Sequence, residues 1–272
     1  MSKINDTVRS SRKIVLKIGS NVLADESGKL DSGIIADITS QVAELTAAGK
    51  QILIVSSGAG ISGATAAGLL SRRGDMNYKQ ALCAVGQVEL MLAYKKCFAR
   101  HGKIVGQILL TRDNFTDANS RLHIRNTLFT LLDEGCVPII NENDSVSVEE
   151  ISLGDNDSLA AHTANLWNAD LLVLMSDIDG IFDKPPKDNA DAKLIAEVHD
   201  IDALEKSVVT GGASSYGTGG MASKIEAAKT IAEFGTPMLL LNGKTPGILT
   251  DIAAGREAGT IVTNEGAEGR PR

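Results

Sequence analysis

Aromatic side chains are scarce: five Phe, three Tyr and one Trp make up 3% of the 272 residues. So few rings exclude a stacking platform for bases or sugars, and Trp167 is expected in the core. Cysteine is rarer still. Cys83, Cys97 and Cys136 are odd in number and unrelated in spacing, which fits neither a disulfide framework nor a metal knuckle. Reduced, partly buried thiols in a cytoplasmic protein are the expectation. Positive charge is also in deficit, 27 Lys and Arg against 34 Asp and Glu, for a formal charge of −7. With no basic stripe to neutralise phosphates, a general nucleic-acid or anionic-membrane binder is excluded. The chain also lacks an obvious spanning segment. Residues 51–71 carry no charge, but Gly58, Gly60, Gly63, Gly68 and several serines interrupt them where a membrane helix needs sustained Leu, Ile or Val. They read as a buried strand, a small-residue turn and a helix of a soluble protein. No signal peptide or internal repeat is visible.

What is present is an alternation of strand and helix patterns. Short β-rich runs occupy 13–18, 51–55, 104–110, 137–140, 171–175, 238–241 and 260–262. Helical spacing covers 31–48, 78–100, 119–134, 157–168, 221–234 and 248–253, with a polar connector before Thr210 and a polar tail at 263–272. This order predicts an α/β fold, a three-layer α/β/α sandwich with a mainly parallel central sheet. The length suits one large domain or two tightly fused lobes.

Two Asx-rich clusters lie within residues 139–160, IINENDSVSVEEISLGDNDSLA. Asn and Asp favour turns and helix caps, so either cluster alone reads as a loop. Together, each at the end of an apolar element, they deliver carboxylates and amides to one place. Three glycine loops, Gly19-Ser20, Ser57-Gly58 and Gly217-Thr218-Gly219-Gly220, could offer backbone amides to an anion, with Lys17 and Lys224 beside them. The run Gly58-Ala59-Gly60-Ile61-Ser62-Gly63 spells GxGxxG after a strand. A dinucleotide fingerprint also needs an acid at the tip of the next strand, and Asp75 follows Ser71-Arg72-Arg73-Gly74, which is no strand. No GxxxxGK[ST] phosphate loop occurs.

With these residues assembled, the sequence resembles the amino-acid kinase family and, within it, the glutamate 5-kinase branch. The segments that carry the resemblance are KIGSNVL (17–23), VSSGA (55–59), INENDSV (140–146), GDNDSLAA (154–161), SDIDGIF (176–182) and GTGGMASK (217–224). The resemblance implies transfer of a phosphoryl group from ATP, with Mg²⁺, to the side-chain carboxylate of L-glutamate. Lys17 and Lys224 would act on the phosphates and Asp157 would hold both ammonium groups. Ser57, Gly58, Asn141, Asp144 and Asn156 would bind the amino acid, Asp144 as the partner of its α-ammonium. Lys17, Gly19, Ser20, Ser176, Asp177, Thr218, Gly219, Gly220, Met221, Ala222, Ser223 and Lys224 would meet ATP, while Mg²⁺ would take few protein ligands. The part to about Trp167 would serve glutamate and residues 168–262 the nucleotide. The resemblance further implies proline as feedback inhibitor, a homo-oligomer, and functional coupling to glutamate-5-semialdehyde dehydrogenase. Many relatives continue into an RNA-binding-like PUA domain; here the expectation is no such domain and no nucleic-acid partner. Ser152 stands where several relatives place a lysine. Another small-carboxylate kinase (acetylglutamate or aspartate) and a non-catalytic amino-acid sensor are the competing readings. His162, Asp179 and Asp183 read as packing and turn residues.

Overall fold

A computed structural model describes residues 2–67, 75–146, 156–184, 186, 189–210 and 220–263. The first half of the chain runs α1 (Lys3–Ser10), β1 (Lys13–Ile18), α2 (Ser20–Leu23), α3 (Ser32–Ala47), β2 (Gln51–Ser56), α4 (Ala59–Ala67) and α5 (Met76–Ala99). Next come β3 (Val105–Leu110), α6 (Asp113–Thr116), α7 (Ala118–Asp133), β4 (Val137–Glu142), α8 (Asn156–Trp167) and β5 (Leu171–Ser176). The remainder is β6 (Ile181–Phe182), β7 (Leu194–Ile195), β8 (Glu197–Val198), α9 (Ile201–Thr210), α10 (Gly220–Ala232), β9 (Met238–Asn242), α11 (Ile248–Ala254) and β10 (Thr260–Val262).

Eight strands form the main sheet in the order β3-β4-β2-β1-β5-β9-β10-β8. All neighbouring pairs are parallel except β10 against β9, and β6 and β7 make a separate antiparallel pair. From β1 the chain builds outward on one side through β2, then crosses back to place β5 on the other side. That reversal opens a crevice beyond the C-terminal ends of β2, β1 and β5, where open α/β sheets accept ligands.

Side-chain alternation divides the core in two. Ile14, Leu16 and Ile18 of β1 face a layer containing Ile35 and Ile38 of α3, Leu90 and Tyr94 of α5, and Ile248 of α11. Val15 faces the opposite layer, with Leu159, Ala164 and Trp167 of α8 and Ile225 and Ala228 of α10. Lys17 shares the parity of Val15, so the strand's own period of two aims it toward α8 and α10.

Helices α4 and α5 approach with their backbones in contact. A side-chain carbon on Gly63 would run into the Leu82 carbonyl, and one on Gly86 into the Ala59 carbonyl. The last glycine of the GxGxxG run is therefore a helix-packing residue. Among the described residues no helix is long and apolar enough to cross a membrane.

Three expectations need correction. Residues 3–10, outside the helical runs read from the sequence, form α1, which buries Ile4 and Val8, one turn apart, and ties Asn5 Nδ2 to the Gly255 carbonyl at 3.0 Å. The polar connector contains α9: the Asp200 carboxylate accepts from the Ala203 amide at 2.8 Å, and Ile201 and Leu204 are buried. Strand β4 runs two residues past Ile140, so Asn141 and Glu142 are strand positions. The tail from residue 264 and Ser152 lie outside the described residues.

Candidate active site

Three buried charges meet where the C-terminal part of β1 faces the first turns of α8 and α10. Asp157 is 0% exposed, Lys17 4% and Lys224 8%. Lys17 Nζ lies 2.5 Å from one carboxylate oxygen of Asp157, and Lys224 Nζ donates to the other at 3.1 Å. The hydroxyl of Ser223 donates to that second oxygen at 3.1 Å, and Lys224 also donates to the Gly220 carbonyl at 3.1 Å. Burial pushes the Asp157 carboxyl up, but Lys17 and then Lys224 outweigh it and hold it below the usual carboxylate range. The cluster carries one positive charge in excess. Several kcal/mol oppose burying each ion, so an unbalanced cluster is poor fold stabilisation and a good place for an anion.

Beside it runs a chain of amides. Asn156, at the start of α8, donates from Nδ2 to the Ser56 carbonyl at 3.1 Å, the Ser57 hydroxyl at 2.9 Å and Asn141 Oδ1 at 3.0 Å. Asn141 Oδ1 also accepts from the Glu142 amide at 2.9 Å, and Asn141 Nδ2 donates to Gln87 Oε1 at 2.8 Å. The loop after β2 turns through Gly58 at φ +103°, a conformation that favours glycine, with Leu23 Cδ1 3.0 Å from where a side-chain carbon would sit.

Asp144 stands apart from this chain. It is half-buried in a cavity of about 240 Å³ lined also by Cys83, Gln87, Gln107, Leu109 and Glu142. Burial, then the nearby Glu142 charge, raises its carboxyl above the usual range, against a hydrogen bond from the Cys83 thiol and the field of Lys79. Burial and the Asp144 charge push that thiol up to about 12, so it stays protonated as a donor.

Of the backbone amides expected to meet substrate oxygens, two are already committed. Gly19 N–H donates to the Met175 carbonyl at 3.1 Å and Ser57 N–H to the Ile18 carbonyl at 3.0 Å, because sheet hydrogen bonding continues one residue past the strand ends. Ser20 and Gly58 are left for that task. Ser176 ends β5, and Asp177 accepts from Asn21 Nδ2 at 3.0 Å, tying the segment after β5 to α2, the short helix that follows β1. Gly220, Met221 and Ala222 open α10, with Met221 buried and the other two exposed. Thr218 and Gly219 lie outside the described residues. Sequence reasoning assigned no role to Gln87 or Cys83, which fall one turn apart within a long amphipathic helix. His162 packs its ring against Phe115, and Trp167 is fully buried.

The profile described as "Amino acid kinase family" matches residues 12–242. Over 258 residues the chain is 54% identical to a protein of Alkaliphilus metalliredigens named glutamate 5-kinase, covering 95% of this chain and 98% of that one. A protein of Geobacter metallireducens with the same name is 46% identical over 254 residues, 93% of this chain and 68% of that one. Among solved structures, UMP kinase from Bacillus anthracis superposes with a TM-score of 0.64 at 18% identity, covering 94% of this chain and 98% of that one. Isopentenyl phosphate kinase from T. acidophilum gives 0.60 at 20% identity, with 92% and 99% covered. Those two structures share the fold, and the profile and the close relatives go further: the chain belongs to the amino acid kinase family.

Proposed function

We propose that this chain phosphorylates the side-chain carboxylate of L-glutamate with ATP, giving L-glutamyl 5-phosphate, the first step of proline biosynthesis. Relatives named glutamate 5-kinase, similar along nearly the whole chain, support the reaction. The observation that carries the mechanism is the pair Lys17 and Lys224 on the two oxygens of one buried Asp157. A carboxylate oxygen of the acceptor forms the new bond to the γ-phosphorus, and the bond to the β-phosphate oxygen breaks with its electron pair leaving on ADP. The attacking carboxylate is already ionised, so no general base is required and catalysis is positioning plus charge neutralisation. The two ammonium groups supply that charge from a water-poor interior, and Asp157 fixes their spacing.

Ser57, Gly58, Asn141, Asn156 and Asp144 serve the amino acid in this reading. Ser20, Ser176, Asp177 and residues 218–224 serve the nucleotide, with Gly19 shaping the turn. Residues 1–167 then form the amino-acid part and 168–262 the nucleotide part. Among the described residues no group of three His, Cys, Asp or Glu is placed to hold a metal ion, and the central carboxylate is held by two lysines. This donor set suits phosphate; Mg²⁺ would come on nucleotide oxygens and water, where it lowers their charge. Proline inhibition, cytoplasmic location and hand-over of the acyl phosphate to a reductase belong to the same proposal. Assembly with copies of itself does too, supported by the exposed Val85, Val88 and Leu92 of α5 beside edge strand β3.

Hydroxylamine traps acyl phosphates, so ATP-dependent hydroxamate formation across glutamate, aspartate and acetylglutamate tests the reaction. Glutamate is expected to dominate. Activity with aspartate alone refutes the substrate, and glutamate binding without turnover supports a sensor instead.

A further inference from the structure

Gln87 of α5 is 9% exposed, and its carboxamide is only half used. Its Oε1 accepts from Asn141 Nδ2, while its Nε2 is buried with no hydrogen-bond acceptor. This orientation cannot be reversed. Turning Gln87 over sets its NH₂ against that of Asn141. Turning Asn141 as well presents an NH₂ to the Glu142 amide, which can only donate. Turning Asn156 in addition points its oxygen at the Ser56 carbonyl, which can only accept. Backbone groups therefore fix the polarity of the whole chain of amides, and the surplus donor falls at Gln87.

Buried donors without acceptors are rare in folded proteins, and this one belongs to a residue lining the cavity that holds Asp144. We infer that Gln87 Nε2 is a substrate-binding donor that receives an oxygen of the amino acid's α-carboxylate. The role rests on the glutamate reading above. The ammonium and carboxylate of an α-amino acid share one carbon, so the partner of the ammonium and the partner of the carboxylate must be neighbours. Asp144 supplies the first and Gln87 the second, while the side-chain carboxylate extends the other way, past Asn156 and Ser57, to Lys17 and Lys224. A neutral donor also suits this place. A lysine or arginine there would be captured by Asp144 and Glu142 before substrate arrived; a carboxamide is not.

The test compares L-glutamate with 4-aminobutanoate, the same molecule without its α-carboxylate, by calorimetric titration of the full chain. Gln87→Glu keeps the oxygen that Asn141 needs and replaces the NH₂ by an acceptor oxygen, adding negative charge beside Asp144. It is expected to weaken glutamate binding at least tenfold, to leave 4-aminobutanoate binding no weaker, and to raise the KM for glutamate with kcat nearly kept. Equal losses for both ligands overturn the inference, since Gln87 then only supports Asn141. Unchanged glutamate affinity overturns it too. If Gln87→Glu fails to fold, Gln87→Met, which also takes the acceptor from Asn141 Nδ2 and so weakens both ligands, must still cost glutamate at least tenfold more than 4-aminobutanoate. A wild-type chain that binds no glutamate overturns the glutamate reading itself, and this role with it.

Discussion

Asp157 and Asp144 both follow β4 and precede β5, yet the chain places them in opposite electrostatic settings. Around Asp157 two cations meet one anion, and the carboxylate is held ionised. Around Asp144 burial and a second carboxylate outweigh a thiol that stays protonated and the single cation Lys79. The first setting has positive charge to spare and suits phosphate; the second has negative charge to spare and suits an ammonium group. A substrate bearing an ammonium at one end and a phosphoryl acceptor at the other would satisfy both. The lesson is that excess of one sign, more than the presence of ionisable groups, tells what each end of the crevice is for.

The largest effect that breaks this contrast comes from removing the anion between the lysines. Asp157→Asn leaves two buried ammonium groups without a counter-charge, and a loss of about 3–5 kcal/mol in stability is expected, read by urea unfolding. A loss below about 1 kcal/mol would mean that water already reaches the cluster. Next comes Lys224→Ala, expected to lower kcat by about 10²–10³ while the dissociation constant for glutamate stays within about threefold, by rapid kinetics and titration. Equal losses in both would make Lys224 a substrate-holding residue. Asp144→Asn should do the reverse, raising the KM for glutamate about tenfold to a hundredfold with kcat nearly kept, as expected when a charge-assisted bond made in both ground and transition states is lost. An unchanged KM would remove Asp144 from the site.

The smallest effect is in pH. The Asp144 carboxyl is raised, so it takes up its proton before an ordinary carboxylate as pH falls, and glutamate affinity should decline first. The Asp157 carboxyl is depressed, so kcat at saturating glutamate should persist to lower pH. Stability follows the same signs. The contribution of Asp157 is present above the ordinary carboxylate range and is lost as pH falls through its depressed value. Asp144 favours the folded state on acidification and costs stability as pH rises from the ordinary range through its raised value. Binding and turnover that fade together would erase the distinction.

Much of this was legible in the sequence because the informative residues sit at element ends. Lys17 and Asn141 interrupt or follow apolar strand runs, Asp157 and Lys224 lie in the opening turns of helices, and strand alternation alone sends Lys17 to the face of α8. The amides of Gly19 and Ser57 were misread, since a glycine loop does not reveal that sheet hydrogen bonds run on for one more residue. Helix α1 was hidden because it buries only Ile4, Asn5 and Val8 among polar neighbours. Helix α9 carries its Asp200 cap in plain view, but the cap follows a long polar stretch and its apolar stripe is short. Gln87 gave no signal because its meaning depends on Asn141 and Asn156, distant in sequence, being locked by backbone groups beside it.

The backbone contact between α4 and α5 has a consequence for specificity. Helix α4 begins one residue past Gly58, next to the Ser57 hydroxyl, and Gly86 immediately precedes Gln87. The bare α-carbons of Gly63 and Gly86 thus act as a gauge between two groups that would grip opposite ends of one ligand. A methyl at either position would prise the helices apart and lengthen the binding slot without altering a single polar atom. The reach of the acid that fits would then be tuned by carbon remote from any chemistry, a route to new substrates that leaves the charged centre intact.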